Sequence, residues 1–159
     1  RTLNTMPDLP KTVSDVMTKK VVTIGENDTL EKLEEGMQRF HFRHLPVVEG
    51  GKLVGLVSHR DLLHAFSSFL SASANERDAV IRKQPAKKIM RADVVTIGPD
   101  DTLLDAAKLM WEAKLGCLPV VDKDEKLVGI LTEGDFVKIM IKLLGGAATP
   151  PPAPSTVGH

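Results

Sequence analysis

The sequence predicts a mixed α/β chain of the α+β type, built from two tandem β-α-β-β-α repeats about a pseudo-twofold axis. Three observations carry that prediction. The chain matches itself when slid by 73 residues: Met17, Val21–Gly25, Asp28–Leu30, Met37 and Leu45–Val48 equal Met90, Val94–Gly98, Asp101–Leu103, Met110 and Leu118–Val121. One extra residue then shifts the offset to 74, and Lys52–Gly55 and Asp61 equal Lys126–Gly129 and Asp135. Within each copy the hydrophobic pattern changes from short β-rich runs to helical spacing. Ordered matches along a whole unit mean that each copy supplies a face the other buries.

Taken in order, residues 1–12, with Pro7 and Pro10, read as an N-terminal extension. The first repeat occupies 13–72, a linker 73–85, the second repeat 86–144 and a Pro-rich tail 145–159. Val13–Met17 makes a helical turn and Val21–Ile24 a short β run. Asp28 is placed to cap the next helix, with Glu31 as its capping-box partner. That helix, Thr29 to about Phe40, puts Leu30, Leu33, Met37 and Phe40 on one face. His44–Glu49 and Lys52–Val57 are strands joined by a tight Gly50-Gly51 turn. Ser58 opens a helix with Leu62, Leu63, Phe66, Phe69 and Leu70. Ser71–Asn75 breaks the halves, and a short helix spans about Glu76 to Lys83. The second copy repeats the plan: a turn at Ala86–Met90, a strand Val94–Ile97, a helix from Asp101 to about Ala113, strands Cys117–Val121 and Lys126–Leu131, and a helix from Thr132 to Leu144. Gly145 stops that last helix at the C′ position.

Composition narrows the function. Lys plus Arg equals Asp plus Glu at 21 each, and aromatics are 4%, which argues against a nucleic-acid binder. Cys117 is the only cysteine, so the chain has no internal disulfide and no cysteine-based zinc site. A reducing, cytoplasmic setting fits. No run approaches the ~18 apolar residues of a membrane span. Arg1 is not a natural start, which leaves room for a longer parent protein. The histidine pairs His41/His44 and His59/His64 lack zinc spacing with further ligands. No nucleophile–base pair is present, so the expectation is a protein that is not an enzyme.

The chemistry sits where strand becomes helix. Ser58 and Thr132 occupy N-cap positions whose free backbone N–H groups suit an anion. Asp61 and Asp135 follow three residues later, and an ionised carboxylate accepts hydrogen bonds from hydroxyl pairs such as those of ribose. The same Ser/Thr-x-x-Asp pattern is also a plain capping box.

The ordered pattern Val-Val-Thr-Ile, Asp-Thr-Leu, Leu-Pro-Val-Val, Leu-Val-Gly and Ser/Thr-x-x-Asp resembles the CBS domain, named for cystathionine β-synthase. Two in tandem resemble a CBS pair, or Bateman module, over Val13 to about Leu144. The resemblance implies two three-stranded sheets packed face to face with helices outside. It implies two clefts between the halves that in this family often hold AMP, ADP, ATP or S-adenosylmethionine. It implies regulation rather than catalysis, with Asp61 and Asp135 toward ribose and Ser58 and Thr132 near the sugar-phosphate.

The copies differ around these residues. Arg43-His44 and His59-Arg60 in the first copy stand where the second has Gly116-Cys117 and Glu133-Gly134. Arginine offers a planar fork suited to phosphate, so the first copy is expected to supply the phosphate clamp, and Glu133 to repel a phosphate at the second cleft. Val22-Thr23-Ile24 and Leu45-Pro46, with Val95-Thr96-Ile97 and Leu118-Pro119 in the other copy, are candidates for an adenine slot. The last helix, with Phe136, Val137, Ile139, Met140, Ile141, Leu143 and Leu144, is apolar nearly all round, as buried helices are. With Phe66, Phe69 and Leu70 it predicts a homodimer. The reading is a regulatory module binding an adenosine nucleotide, needing no cofactor or metal; the alternative is a ligand-free dimerisation module.

Overall fold

A computed structural model describes residues 8–67 and 79–150. Phe69, Leu70, the 71–75 break, the start of the helix expected at 76–83 and the end of the tail lie outside the described residues. The first repeat contains α1 (Val13–Val16), α2 (Leu30–Phe40), β1 (His44–Glu49), β2 (Lys52–Ser58) and α3 (His59–Ser67). Residues 79–82 are helical and Ala86–Lys88 form a 3-10 turn; α4 (Leu103–Glu112), β3 (Cys117–Val121), β4 (Leu127–Thr132) and α5 (Glu133–Leu143) complete the second.

The shared Asp-Thr-Leu works differently from its sequence reading. Thr29, not Asp28, is the N-cap of α2, and its hydroxyl accepts a hydrogen bond from the Lys32 N–H at 3.3 Å. Asp28 reaches backward instead: its Oδ2 accepts the Gly25 N–H at 2.7 Å, and its Oδ1 pairs with Lys32 Nζ at 3.0 Å. Thr102 and Asp101 repeat the device on Asp105 and Gly98, at 3.1 and 2.8 Å. An aspartate one residue ahead of the cap points into the preceding turn, so the turn and the helix start are set by neighbouring residues. Leu30, Leu33 and Met37 are buried as expected. Phe40 is not: it is 48% exposed and stacks on Phe42.

Each hairpin pairs antiparallel, His44 with Ser58 and Cys117 with Thr132 at their open ends, with a register shift at Val47/Val48 and Val120/Val121. Gly50 and Gly51 have φ of 58° and 79°. A two-residue turn with both φ positive matches the twist of its strands, and glycine takes it without strain. The expected third strand is reduced to single bridges. Ile24 joins the outer edge of β1 at Val47, and Ile97 joins β3 at Val120. On the other edge the partner comes from the opposite repeat: Arg91 bridges Leu56 of β2, and Thr18 bridges Ile130 of β4.

That crossing also divides the core. Val13, with Val16 and Met17 beside it, packs among Ile97, Leu103, Ala106, Met110, Leu118, Val120 and Leu131 of the second repeat. Ile81 and Ala86, with Ile89 and Met90, pack among Ile24, Leu30, Leu33, Leu45, Val57 and Leu62 of the first. The leader of each repeat therefore completes the other repeat's core. The hairpin tips join too, with Leu127 N–H donating to the Gly51 carbonyl at 3.1 Å. The C-terminal stop is as the sequence predicts: Gly145 has φ 85°, and the Gly145 and Gly146 N–H groups donate to Lys142 and Ile141 carbonyls at 3.1 and 2.9 Å. This is a Schellman closure.

Candidate functional site: a cationic cleft between the repeats

The path of each repeat's leader builds a cleft. Met90 and Arg91 lie so close over β2 that a Cβ on Gly55 would meet Met90 Sδ at 2.6 Å and the Arg91 carbonyl at 3.2 Å. Gly129 stands in the same relation to Met17 and Thr18, at 2.5 and 3.1 Å. The Leu-Val-Gly shared by both copies is thus a close-approach glycine. It places Arg91 of the second repeat beside the strand that ends in Ser58.

At the end of β2 the Ser58–Asp61 box is closed in both directions. Ser58 N–H donates to Asp61 Oδ2 at 2.9 Å, and Asp61 N–H donates to Ser58 Oγ at 3.0 Å. The shorter aspartate closes the box fully, and it does so with one oxygen. The other, Oδ1, faces Arg91 Nη2 at 3.4 Å. In the second copy the Thr132 N–H and hydroxyl both donate to Asp135 Oδ2, at 2.8 and 3.3 Å. Asp135 is buried, at 7% exposure.

A cleft of about 970 Å³ opens here, at the upper end of ordinary ligand sites. Ser58, His59, Arg60, Asp61, Arg43 and His44 line it together. The second repeat contributes Arg91, Asp93, Lys114 and the apolar Val94 and Val95. Four Arg or Lys side chains and three histidines thus face two aspartates. Arg91, Lys114 and Phe42 escaped the sequence reading. Arg91 had a visible signal, since Met90-Arg91 stands against Met17-Thr18.

Of the adenine-slot candidates, Val95 alone lines this cleft. Pro46 and Pro119 are fully buried, and Ile24 is in the core. Their backbones are spent on the sheets: Ile24 N–H donates to the Pro46 carbonyl at 3.0 Å, as Ile97 does to Pro119 at 3.1 Å. Thr23 is exposed and Thr96 half-buried, and neither lines the cleft. The apolar wall comes from Val94 and Val95, just ahead of Thr96, with Val95 42% exposed. Thr132 is likewise outside the cleft, and Asp135 lines a separate cavity of about 650 Å³ with Lys11, Asp15, Thr18, Lys138 and Lys142.

His44 sits at the junction of the halves. A Cβ on Gly116 would meet its Cε1 at 3.3 Å, and Glu133 Oε2 lies 4.0 Å from the same point. Gly116 therefore makes room for the imidazole. Burial lowers the His44 pKa below its ordinary value, Asp61 and Glu133 partly oppose this, and Arg43 adds to it. Cys117, the matching residue, is buried, and burial pushes its thiol up to about 12. Among the described residues no group of three or more His, Cys, Asp or Glu is placed to hold a metal ion, and no helix is long and apolar enough to cross a membrane.

A repeated hairpin-and-helix unit, with exchanged leaders and a polar cleft at the strand–helix junction, defines a paired small-domain module. The CBS domain family model matches residues 13–68 and 86–142, and the chain belongs to that family as a tandem pair. A CBS domain-containing protein of Dictyostelium discoideum is 34% identical over 134 residues, covering 83% of this chain and 92% of its own. The structure of CBSX2 in complex with AMP is 28% identical with a TM-score of 0.72, covering 85% of this chain and 99% of that one. The CBS domain pair of protein MJ0100, in complex with 5′-methylthioadenosine and S-adenosyl-L-methionine, is 25% identical with a TM-score of 0.66, covering 82% and 97%. Other relatives are longer: the chain spans 39% to 48% of three proteins of Methanocaldococcus jannaschii that it matches.

Proposed function

We propose that this CBS pair is a non-catalytic regulatory module that binds an adenosine nucleotide, AMP, ADP or ATP, in the cleft at Ser58 and Asp61. The carrying observation is one cavity that gathers a carboxylate whose second oxygen meets only the exposed Arg91 head, four Arg or Lys side chains drawn from both repeats, and a half-exposed valine wall. Ribose hydroxyls would donate to Asp61, phosphates would meet Arg43 and Arg60, and adenine would lie against Val94 and Val95. Because both repeats contribute, a ligand tightens their docking. It can switch only an arrangement for which it has different affinity. The copies of CBSX2 and MJ0100 crystallised with adenosine compounds support the class of ligand.

Val137, Met140 and Leu144 form an exposed apolar face on α5, at 57%, 54% and 79% exposure. It supports a homodimer through the repeat helices; a cytoplasmic setting and a regulated protein belong to the proposal as a whole. Light scattering at micromolar concentration tests the dimer, and a strict monomer refutes it. The ligand-free reading also has an observation in its favour, since both Asp carboxylates close capping boxes.

Thermal unfolding with AMP, ADP, ATP, NADH and S-adenosylmethionine separates the two. A ligand at 100 times its Kd adds about 2.7 kcal/mol, or roughly 5–10 °C for a chain of this size. Asp61→Ala and Asp135→Ala should each cost about 1 kcal/mol of capping stability, but only Asp61→Ala should abolish the nucleotide shift. No shift with any compound would leave the ligand-free module standing.

A further inference from the structure

Arg91 is anchored at its base and loose at its head. Its N–H donates to the Leu56 carbonyl at 2.9 Å and its carbonyl accepts the Leu56 N–H at 3.0 Å. Its side chain is 70% exposed, and its Nη2 stands 3.4 Å from Asp61 Oδ1. That oxygen is the one the Ser58 box leaves over. The matching crossing supplies an internal control. Thr18 is locked onto Ile130 by the same pair of hydrogen bonds, at 2.9 and 3.0 Å, with no charge at all. The backbone crossing therefore does not need an arginine, and the positive charge at this position is surplus to the fold.

We propose that Arg91 is the specificity-determining residue of the cleft, holding Asp61 in the empty chain and turning to the phosphate when ribose takes Asp61 Oδ1. The proposal rests on the adenosine-ligand reading above and names the charge class within it. An exposed ion pair is weak, so exchanging it for another costs little. A guanidinium fork matches a phosphate, and the exchange leaves no charge unpaired. A neutral adenosine breaks the Arg91–Asp61 pair and offers nothing in return. A cationic sulfonium compound meets the same break and is repelled by Arg43, Arg60 and Lys114 as well. The cleft should therefore rank ATP above AMP, AMP above adenosine, and adenosine above S-adenosylmethionine.

Titration calorimetry on the full chain with these four ligands tests the ranking, using wild type, Arg91→Thr and Arg91→Lys. Threonine is the residue the first copy carries at the matching position, Thr18, so the fold should tolerate it, with melting within a few degrees of wild type. Arg91→Thr should lose at least tenfold in ATP affinity, about 1.4 kcal/mol, and bind adenosine as well as wild type or better. Arg91→Lys should recover part of the loss, and the ATP loss should shrink as salt rises. Adenosine and ATP falling equally in Arg91→Thr, or neither falling, overturns the assignment while leaving the nucleotide reading intact. A wild type that binds none of the four overturns both.

Discussion

Gly55→Ala tests whether the crossing of the leaders governs both stability and the cleft. The added Cβ would lie 2.6 Å from Met90 Sδ, 3.0 Å from Met90 Cγ and 3.2 Å from the Arg91 carbonyl. The sulfur end of methionine can swing away. The carbonyl cannot move without breaking its hydrogen bond from the Leu56 N–H. Overpacking of this kind costs about 1–3 kcal/mol, which for a chain of this length lowers Tm by roughly 2–12 °C. Differential scanning calorimetry measures it. Shortening the sulfur arm should relieve part of the clash, so Met90→Ala should cost less in the Gly55→Ala background than in wild type. The double-mutant cycle isolates that coupling, expected at about 0.5–3 kcal/mol. ATP binding should weaken in Gly55→Ala as well, because Arg91 moves with its carbonyl. If Gly55→Ala melts within 1 °C of wild type, or the cycle closes at zero, the close approach is not what the glycine is for.

Three further outcomes follow from the same geometry. His44 takes up its proton less readily folded than unfolded, because of burial above all. Its contribution to stability is therefore present above the ordinary histidine value of 6.5 and lost as pH falls below it; melts at pH 7.5 and 5.5 should show a steeper drop for wild type than for His44→Gln, and equal drops would refute this. With its thiol near 12, Cys117 holds only about one part in ten thousand thiolate at pH 8, so Ellman's reagent should label it slowly until denaturant is added. Thr29→Ala should cost about 1 kcal/mol by removing the α2 cap, whereas Asp28→Asn should mainly loosen the Gly25 turn and flatten the acid limb, since the Gly25 N–H and then Lys32 hold its carboxyl below the usual range.

What the sequence disclosed is largely what is local. The hairpin bounds follow from the β-rich runs and Gly50-Gly51, and the C-terminal stop follows from Gly145. The capping error at Asp28 arose because Asp and Thr are both good N-cap residues, and only the direction of the preceding turn decides between them. Phe40 was placed inside by helical spacing, yet it lies at the last turn, where the chain turns out through His41 at φ 56°. Of the adenine-slot runs, Val95–Ile97 reaches the cleft through Val95, whereas Val22–Ile24 does not line it. Matching the copies shows that Val22–Ile24 and Val95–Ile97 are alike, but not which cleft either one walls.

Comparing the copies in sequence located Arg43 and Arg60 because they lie in the same repeat as Asp61. The identical comparison displays Arg91 against Thr18, but its meaning depends on the crossing, which seats the second repeat's leader on β2 of the first. The charge excess of the cleft is thus assembled across the repeats, from Arg43 and Arg60 on one side and Arg91 and Lys114 on the other. A cation placed wholly within one repeat would bind phosphate without holding the halves together. Split between them, the same charges would all be drawn to a polyanion seated in the cleft, and through it to each other's repeat. Under the proposed function, an anion bound there would couple its binding to repeat docking, which is the minimum a ligand needs in order to signal through this fold.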